Sequence, residues 1–322
     1  MTPQPHLLRT PPGEPLAWVV RGRVAESVHT GHLLVTSAGG DRLVLGDPDA
    51  PVLARSSLKP LQALAMLRTG VRLDDRQLAL ACGSHAGTPA HVEVARSVLR
   101  SVGLDDDALQ NTPDWPLDRE ARSAVVRSGA GPASITQNCS GKHAAMLATC
   151  VAAGWSTADY RSPDHPLQRA IAEVVAEVSG VRPGEVTVDG CGAPLFSGTL
   201  RGLARGLSAL VDAEPGTHEH RVAHVMRSHP ELVAGEGRVD TEAMRTVPGL
   251  VVKGGAEGVL AAALPGGRAV VAKVADGSQR PVPVVLAEAL RLLGERGPWE
   301  WERVPVLGHG EPVGSVVAAF GG

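Results

Sequence analysis

The hydrophobic positions change their period twice along the chain. Near the N-terminus, segments 18–24, 32–36 and 42–45 are alternating or briefly apolar, with Gly, Ser and Asp punctuating the gaps. Period-two segments bounded by turn formers read as β-hairpins, so a small antiparallel sheet opens the fold. From Leu61 the spacing becomes helical, over 60–67, 89–102, 141–153, 166–178, 200–211 and 219–227. After Pro248 strands return at 250–253, 258–264 and 269–274, with Pro265-Gly266-Gly267 as a turn, and a helix at 282–294 and an apolar run at 313–319 follow. Terminal strands enclosing a helical middle predict an α+β fold, with functional groups where sheet meets helices. The chain reads as one domain, its sheet part over about 1–58 and 246–322 and its helical part over about 59–245. It shows no internal repeat and no low-complexity segment.

Composition narrows the function classes. The 322 residues, 43% hydrophobic, are enough for a sizeable core. A net charge of -3 without a basic tract argues against nucleic acid as a partner. No run approaches the roughly 20 apolar residues of a membrane span, and Met1–Pro15 carries no apolar leader core. Four scattered cysteines, Cys82, Cys139, Cys150 and Cys191, are too few for a secreted disulfide framework, and a reducing cytoplasm is the expected setting. A single tyrosine, Tyr160, excludes mechanisms that need several.

The basic residues are informative by type. Of 31, only Lys59, Lys142, Lys253 and Lys273 are lysine. Arginine is always protonated, whereas a desolvated lysine can lose its proton and act as a base or metal ligand. Each of the four lies near small or turn-forming residues, so these are the candidates for amine chemistry.

Five motifs surround them. In Arg55-Ser56-Ser57-Leu58-Lys59-Pro60 a helical start places Ser56 and Lys59 one turn apart, the arrangement in which an amine activates a serine hydroxyl for acyl transfer. Chance S-x-x-K matches and N-capping serines are common, so this motif alone discriminates weakly. Cys82-Gly83-Ser84-His85-Ala86-Gly87 offers a second hydroxyl in a turn of small residues. Asn138-Cys139-Ser140-Gly141-Lys142-His143 packs an amide, thiol, hydroxyl, amine and imidazole before an apolar helix, a density costly to bury unless the groups face a site. It fails as a phosphate loop, because the first glycine is missing and His143 replaces Ser or Thr. Val188-Asp189-Gly190-Cys191-Gly192-Ala193-Pro194 adds a glycine-flanked cysteine; Cys139 and Cys191 could share a metal with His143, Asp189 or Lys142, or be two reduced thiols beside a polar site. Val252-Lys253-Gly254-Gly255-Ala256-Glu257-Gly258 nearly matches the K-[ST]-G strand of Ser-x-x-Lys acyltransferases, and Lys273 reads as a charge-paired structural residue.

In this order, together with His229-Pro230-Glu231 and Asp276-Gly277, the blocks resemble the rhizobial-type L-asparaginase family over most of the chain. The Asn-Cys-Ser-Gly-Lys-His and Asp-Gly-Cys-Gly-Ala-Pro motifs carry that resemblance most specifically. It implies a serine β-lactamase or penicillin-binding-protein-like fold and hydrolysis of L-asparagine to L-aspartate and ammonia. It further implies two Ser-Lys tandems, Ser56 with Lys59 and Ser84 with Lys253, a zinc site at Cys139, Lys142 and Cys191, and a homodimer. Substrate contacts are expected from Arg55, toward the α-carboxylate, from Asp189, toward the α-ammonium or bracing the metal, and from His85, Asn138 and Gly254. Thr88 departs from the glutamate usual in the family after Ser-His-x-Gly, which bears on the hydrogen bonding around the site. Two other readings compete: a serine amidohydrolase acting on glutamine, a peptide or a lactam, and a non-catalytic zinc and amino-acid sensor.

Overall fold

The computed structural model describes residues 13–321, so the leader reading over Met1–Pro15 falls almost wholly outside the described residues. Its strands are β1 (Glu14–Arg21), β2 (Val24–Ser37), β3 (Gly40–Leu45), β4 (Val52–Leu53), β5 (Val186–Val188), β6 (Pro194–Gly198), β7 (Val251–Gly255), β8 (Val259–Leu264), β9 (Arg268–Val274), β10 (Pro305–Gly308) and β11 (Glu311–Ala318). Its helices are α1 (Lys59–Arg68), α2 (Asp75–Ala81), α3 (Pro89–Ser101), α4 (Arg119–Arg127), α5 (Ser140–Ala153), α6 (Pro166–Ser179), α7 (Leu200–Val211), α8 (His218–Ser228), α9 (Pro230–Val233), α10 (Val239–Thr246) and α11 (Val282–Leu292).

The α+β layout is observed. The main sheet runs β10-β11-β1-β2-β9-β8-β7, with β3 paired to the far half of β2, and all its pairings are antiparallel. Both ends of the chain thus supply the sheet and the middle supplies the helices. A second, small sheet, β4-β6-β5, joins the entry to α1 to the Cys191 loop. All six positions of β8 are buried, the pattern of a strand covered on both faces, with α7 packed on β2, β8 and β9 and α11 on β1, β9 and β11.

Several elements depart from the hydrophobic pattern. The first hairpin turns at Gly22, inside the segment read as one strand, because the first five residues of β2 are exposed and carry no alternation. Helix α4 has no buried residue and therefore no apolar stripe, while α2 and α9 have seven and four residues, too short to show a period.

Helix α5 is the buried centre of the helical part, with every residue from Ser140 to Cys150 buried, and it packs on α2, α3, α1 and α6. Gly141 permits the approach: a Cβ there would lie 2.5 Å from Leu80 Cγ and 2.9 Å from the Leu80 carbonyl oxygen. That contact brings the start of α5 against the end of α2, and so the Cys139–Lys142 segment against the Gly83–Ser84 turn. In an open helix Gly→Ala stabilises by about 0.5–1 kcal/mol, but here the added carbon meets backbone, and overpacking costs about 1–3 kcal/mol. Gly141→Ala is expected to lower stability by about 1–2 kcal/mol, read as a lower urea midpoint at unchanged m-value; a raised midpoint would refute the close approach.

Candidate active site

The chain enters α1 through a 3₁₀ turn, Arg55–Leu58. Arg55 opens it in the left-handed region at φ 52°, an uncommon conformation for a non-glycine residue, and Ser57 Oγ pins it by donating to the Ala54 carbonyl at 2.6 Å. Residues three apart nearly eclipse in a 3₁₀ turn, so Ser56 and Lys59 share one side. Ser56 is half-buried, and its hydroxyl makes no hydrogen bond to the protein among the described residues.

Lys59 is 1% exposed, and its Nζ donates to the Gly83 carbonyl at 2.5 Å and to Ser84 Oγ at 3.0 Å. The backbone N–H of Ser84 is fixed on the Val233 carbonyl at 2.7 Å. Lys59 therefore joins Ser84 by a hydrogen bond and borders the same small void as Ser56. Lys253, near the end of β7, is also 1% exposed; its Nζ donates to the Gly254 carbonyl at 2.6 Å and lies 3.9 Å from Asp240 Oδ2. Burial, with Lys59 adding like charge, pulls the Lys253 ammonium down to about 8 against the opposing pull of Asp240. Lys273 instead closes the β8–β9 side of the sheet, donating to the Glu257 and Val274 carbonyls at 2.6 and 2.7 Å, and it does not line the cavity.

These groups surround a cavity of about 490 Å³ lined by Ser56, Ser84 and Lys253, and Asn138 and Gly254 of the expected substrate contacts line it too. Behind it, Lys59 and Ser56 border a small void together with Lys142 and Asp189. The remaining expected contacts lie elsewhere. Arg55 Nε donates to Asp189 Oδ1 at 3.0 Å, and both border the small void rather than the cavity. Burial opposes ionisation of Asp189, but Lys142, the Gly190 N–H and Arg55 outweigh it and hold its carboxyl below the usual range. His85 is fully buried: it accepts from the Gly87 N–H at 3.2 Å through Nδ1, leaving Nε2–H to donate to Ser140 Oγ at 2.9 Å. Burial holds this imidazole well below its ordinary pKa, so it works as a neutral strut. Thr88 contacts His91 Nδ1 at 2.6 Å, and His91 Nε2 donates to the Glu231 carbonyl at 2.9 Å, also outside the cavity.

Pattern reading missed Arg238, Asp240 and Gln279, all on the cavity wall. The one signal available was the Arg238-Val239-Asp240 step into α10, which on paper is an ordinary helix start. A larger groove of about 820 Å³ lies between α11 and the β10–β11 hairpin, remote from the serines and lysines.

The two distant cysteine motifs do meet. Cys139, Cys191 and Ala193 form their own buried cluster, and Lys142 Nζ donates to Cys191 Sγ at 3.3 Å. The hydrogen bond between the sulfurs lowers the Cys139 thiol and raises that of Cys191, while Lys59 and Lys142 favour the Cys139 thiolate. Burial would lower the Lys142 ammonium, but the two sulfurs and Asp189 outweigh it and hold it above its ordinary range. Among the described residues no three His, Cys, Asp or Glu side chains are grouped to hold a metal, so any metal here would use the amine of Lys142 beside the two sulfurs.

The sequence model of the L-asparaginase II family matches residues 17–318, so the chain belongs to that family, the rhizobial-type asparaginases its motifs resemble, and is an amidohydrolase. The non-catalytic sensor reading is thereby set aside. No curated protein sequence matches. Among solved structures, EstCE1, a hydrolase with promiscuous acyltransferase activity, is similar at 14% identity and a TM-score of 0.43, over 81% of this chain and 93% of that one. A β-lactamase from Mycobacterium bovis is similar at 17% identity and a TM-score of 0.43, over 80% and 94%. Mglu in its native form is similar at 16% identity and a TM-score of 0.44, over 84% of this chain and 63% of that one. Among the described residues no helix is long and apolar enough to cross a membrane.

A lysine that accepts a proton during catalysis must be neutral, and the neutral fraction of Lys253 grows as pH rises through about 8. Turnover that depends on it is expected to climb along a limb centred near pH 8. Lys253→Arg, which stays protonated, should erase that limb and lower kcat by about 10²–10⁴-fold; a pH–rate profile unchanged in the variant would remove Lys253 from proton transfer.

Proposed function

We propose that the protein hydrolyses L-asparagine to L-aspartate and ammonia through an acyl-enzyme on Ser56. The observation that carries this reading is the unengaged Ser56 hydroxyl at the junction of the cavity and the buried Lys59, with Ser84 and Lys253 on the same wall. Lys59 acts as the base and takes the Ser56 proton as Oγ attacks the side-chain amide carbon, and a tetrahedral oxyanion forms. Two backbone N–H groups at the cavity, those of Ser56 and Ala256, have no acceptor within the protein among the described residues and suit that oxyanion. The proton passes from Lys59 across Ser84 to the departing nitrogen, the C–N bond breaks, and ammonia leaves a β-aspartyl ester. Water loses a proton to Lys253, or to Lys59 through Ser84, and attacks the ester; the ester C–O bond breaks, L-aspartate leaves, and the base passes its proton to Ser56 Oγ. Arg55 and Asp189 clamp each other in this reading, tying the nucleophile's turn to the Cys191 loop.

Zinc fits the donor chemistry of Cys139, Cys191 and Lys142, two sulfurs and one nitrogen that would hold it, all buried. When bound it would supply a fixed positive charge that stiffens this wall. Purified protein is expected to carry close to one zinc per chain by elemental analysis, and Cys139→Ser with Cys191→Ser to carry none; equal metal content in both would reject the site.

Ser56→Ala is expected to abolish ammonia release from L-asparagine, a loss of about 10³-fold or more, while folding as the parent does by circular dichroism. Retained turnover would reject Ser56 as nucleophile. Comparison of kcat/KM for asparagine, glutamine and nitrocefin separates asparaginase from other serine amidohydrolases, with asparagine expected to lead.

A further inference from the structure

Gly254 occupies the position where K-[ST]-G acyltransferases carry a hydroxyl side chain. Here the space is taken by Asp240, since a Cβ at 254 would stand 3.2 Å from Oδ1 and 3.3 Å from Oδ2. Asp240 Oδ2 accepts from the Gly254 N–H at 2.8 Å and lies 3.9 Å from Lys253 Nζ, whereas Oδ1 receives no hydrogen bond from the described protein. The side chain keeps 16% of its surface open, and the residue lines the cavity. Arg238, two residues earlier and on the same wall, is exposed and pairs with no carboxylate among the described residues. A hydroxyl replaced by a carboxylate changes the sign of the ligand that is welcome: an anion is repelled at Asp240 and an ammonium drawn to it. The neighbouring free guanidinium supplies the complementary charge, in the planar form suited to a carboxylate.

We infer that the Arg238–Asp240 segment reads the zwitterion of a free α-amino acid, Asp240 Oδ1 accepting from the α-ammonium and Arg238 holding the α-carboxylate. The substrate class is thereby narrowed to amides of unblocked amino acids; N-acylated amides, peptides joined through the α-amine, and anionic lactams are excluded. The inference rests on the asparagine reading and assigns the recognition that reading needs.

Calorimetric binding of L-aspartate and of succinate, which differ by the ammonium alone, tests it on the full chain without turnover. The parent protein is expected to prefer L-aspartate by roughly 10- to 100-fold, the worth of one charge-assisted hydrogen bond. Asp240→Asn keeps an acceptor for the Gly254 N–H and should bring the two ligands to within about threefold. Gly254→Thr, which pushes Asp240 aside, should do the same, and Arg238→Gln should weaken both ligands by similar factors of about 10. Equal or undetectable binding of both ligands by the parent, or an unchanged preference in Asp240→Asn, overturns the inference. A role for Asp240 confined to adjusting Lys253 would shift the pH–rate limb and leave the preference intact, and so also overturns it. A parent that prefers L-aspartate but releases no ammonia from asparagine would sink the asparaginase reading and support this one.

Discussion

Two lysines buried to 1% exposure, Lys253 on the cavity and Lys59 on the small void behind it, set the terms for the rest of the site. A charge in such a place costs several kcal/mol unless it is paired or hydrogen-bonded. The fold meets both amines mainly with carbonyl and hydroxyl oxygens, Gly83 and Ser84 for one and Gly254 for the other, and holds the nearest carboxylate, Asp240, at 3.9 Å. At Lys253 burial outweighs that carboxylate, and the proton is held less tightly than in water. Lys142 shows the contrast. It is buried as deeply, yet with Cys191, Cys139 and Asp189 around it the proton is held more tightly than in water. The same residue type thus has its hold on the proton loosened at Lys253 and tightened at Lys142, and the partner atoms make the difference.

The rigidity that preserves those distances comes from several parts of the chain. Ser56 is presented by a 3₁₀ turn anchored through Ser57, Ser84 by a turn held on the Val233 carbonyl, Lys253 by the strand that ends the sheet, and Lys142 by the buried first part of α5. The Arg55–Asp189 pair ties the first of these to the loop that carries Cys191.

Much of this was readable from the residues. Helices α1, α3, α5, α6, α7 and α8 and strands β7, β8 and β9 follow the apolar spacing to within a few positions, because each buries a full stripe or face. The chemistry-bearing blocks were visible through their density of polar groups among glycines. What escaped detection shared one property, absence of a hydrophobic signature: α4 lies wholly on the surface, and Arg238 and Asp240 sit at the start of a short helix, where charged residues are commonplace. The mutual grip of Arg55 and Asp189 was hidden for another reason. It joins residues 134 positions apart, and either charge read singly looks free to meet a ligand.

Strand β7 ends the main sheet, and its outer side is the place where an unpaired ladder would invite another chain to add itself. Here that edge is consumed piecemeal: Asp240 caps the Gly254 N–H, Gln279 caps the Gly255 carbonyl, and the neighbouring Ala256 lines the cavity. Enlarging the mouth of the pocket at this end of β7 would therefore uncover backbone groups that Asp240 and Gln279 now occupy, and with them an adhesive edge.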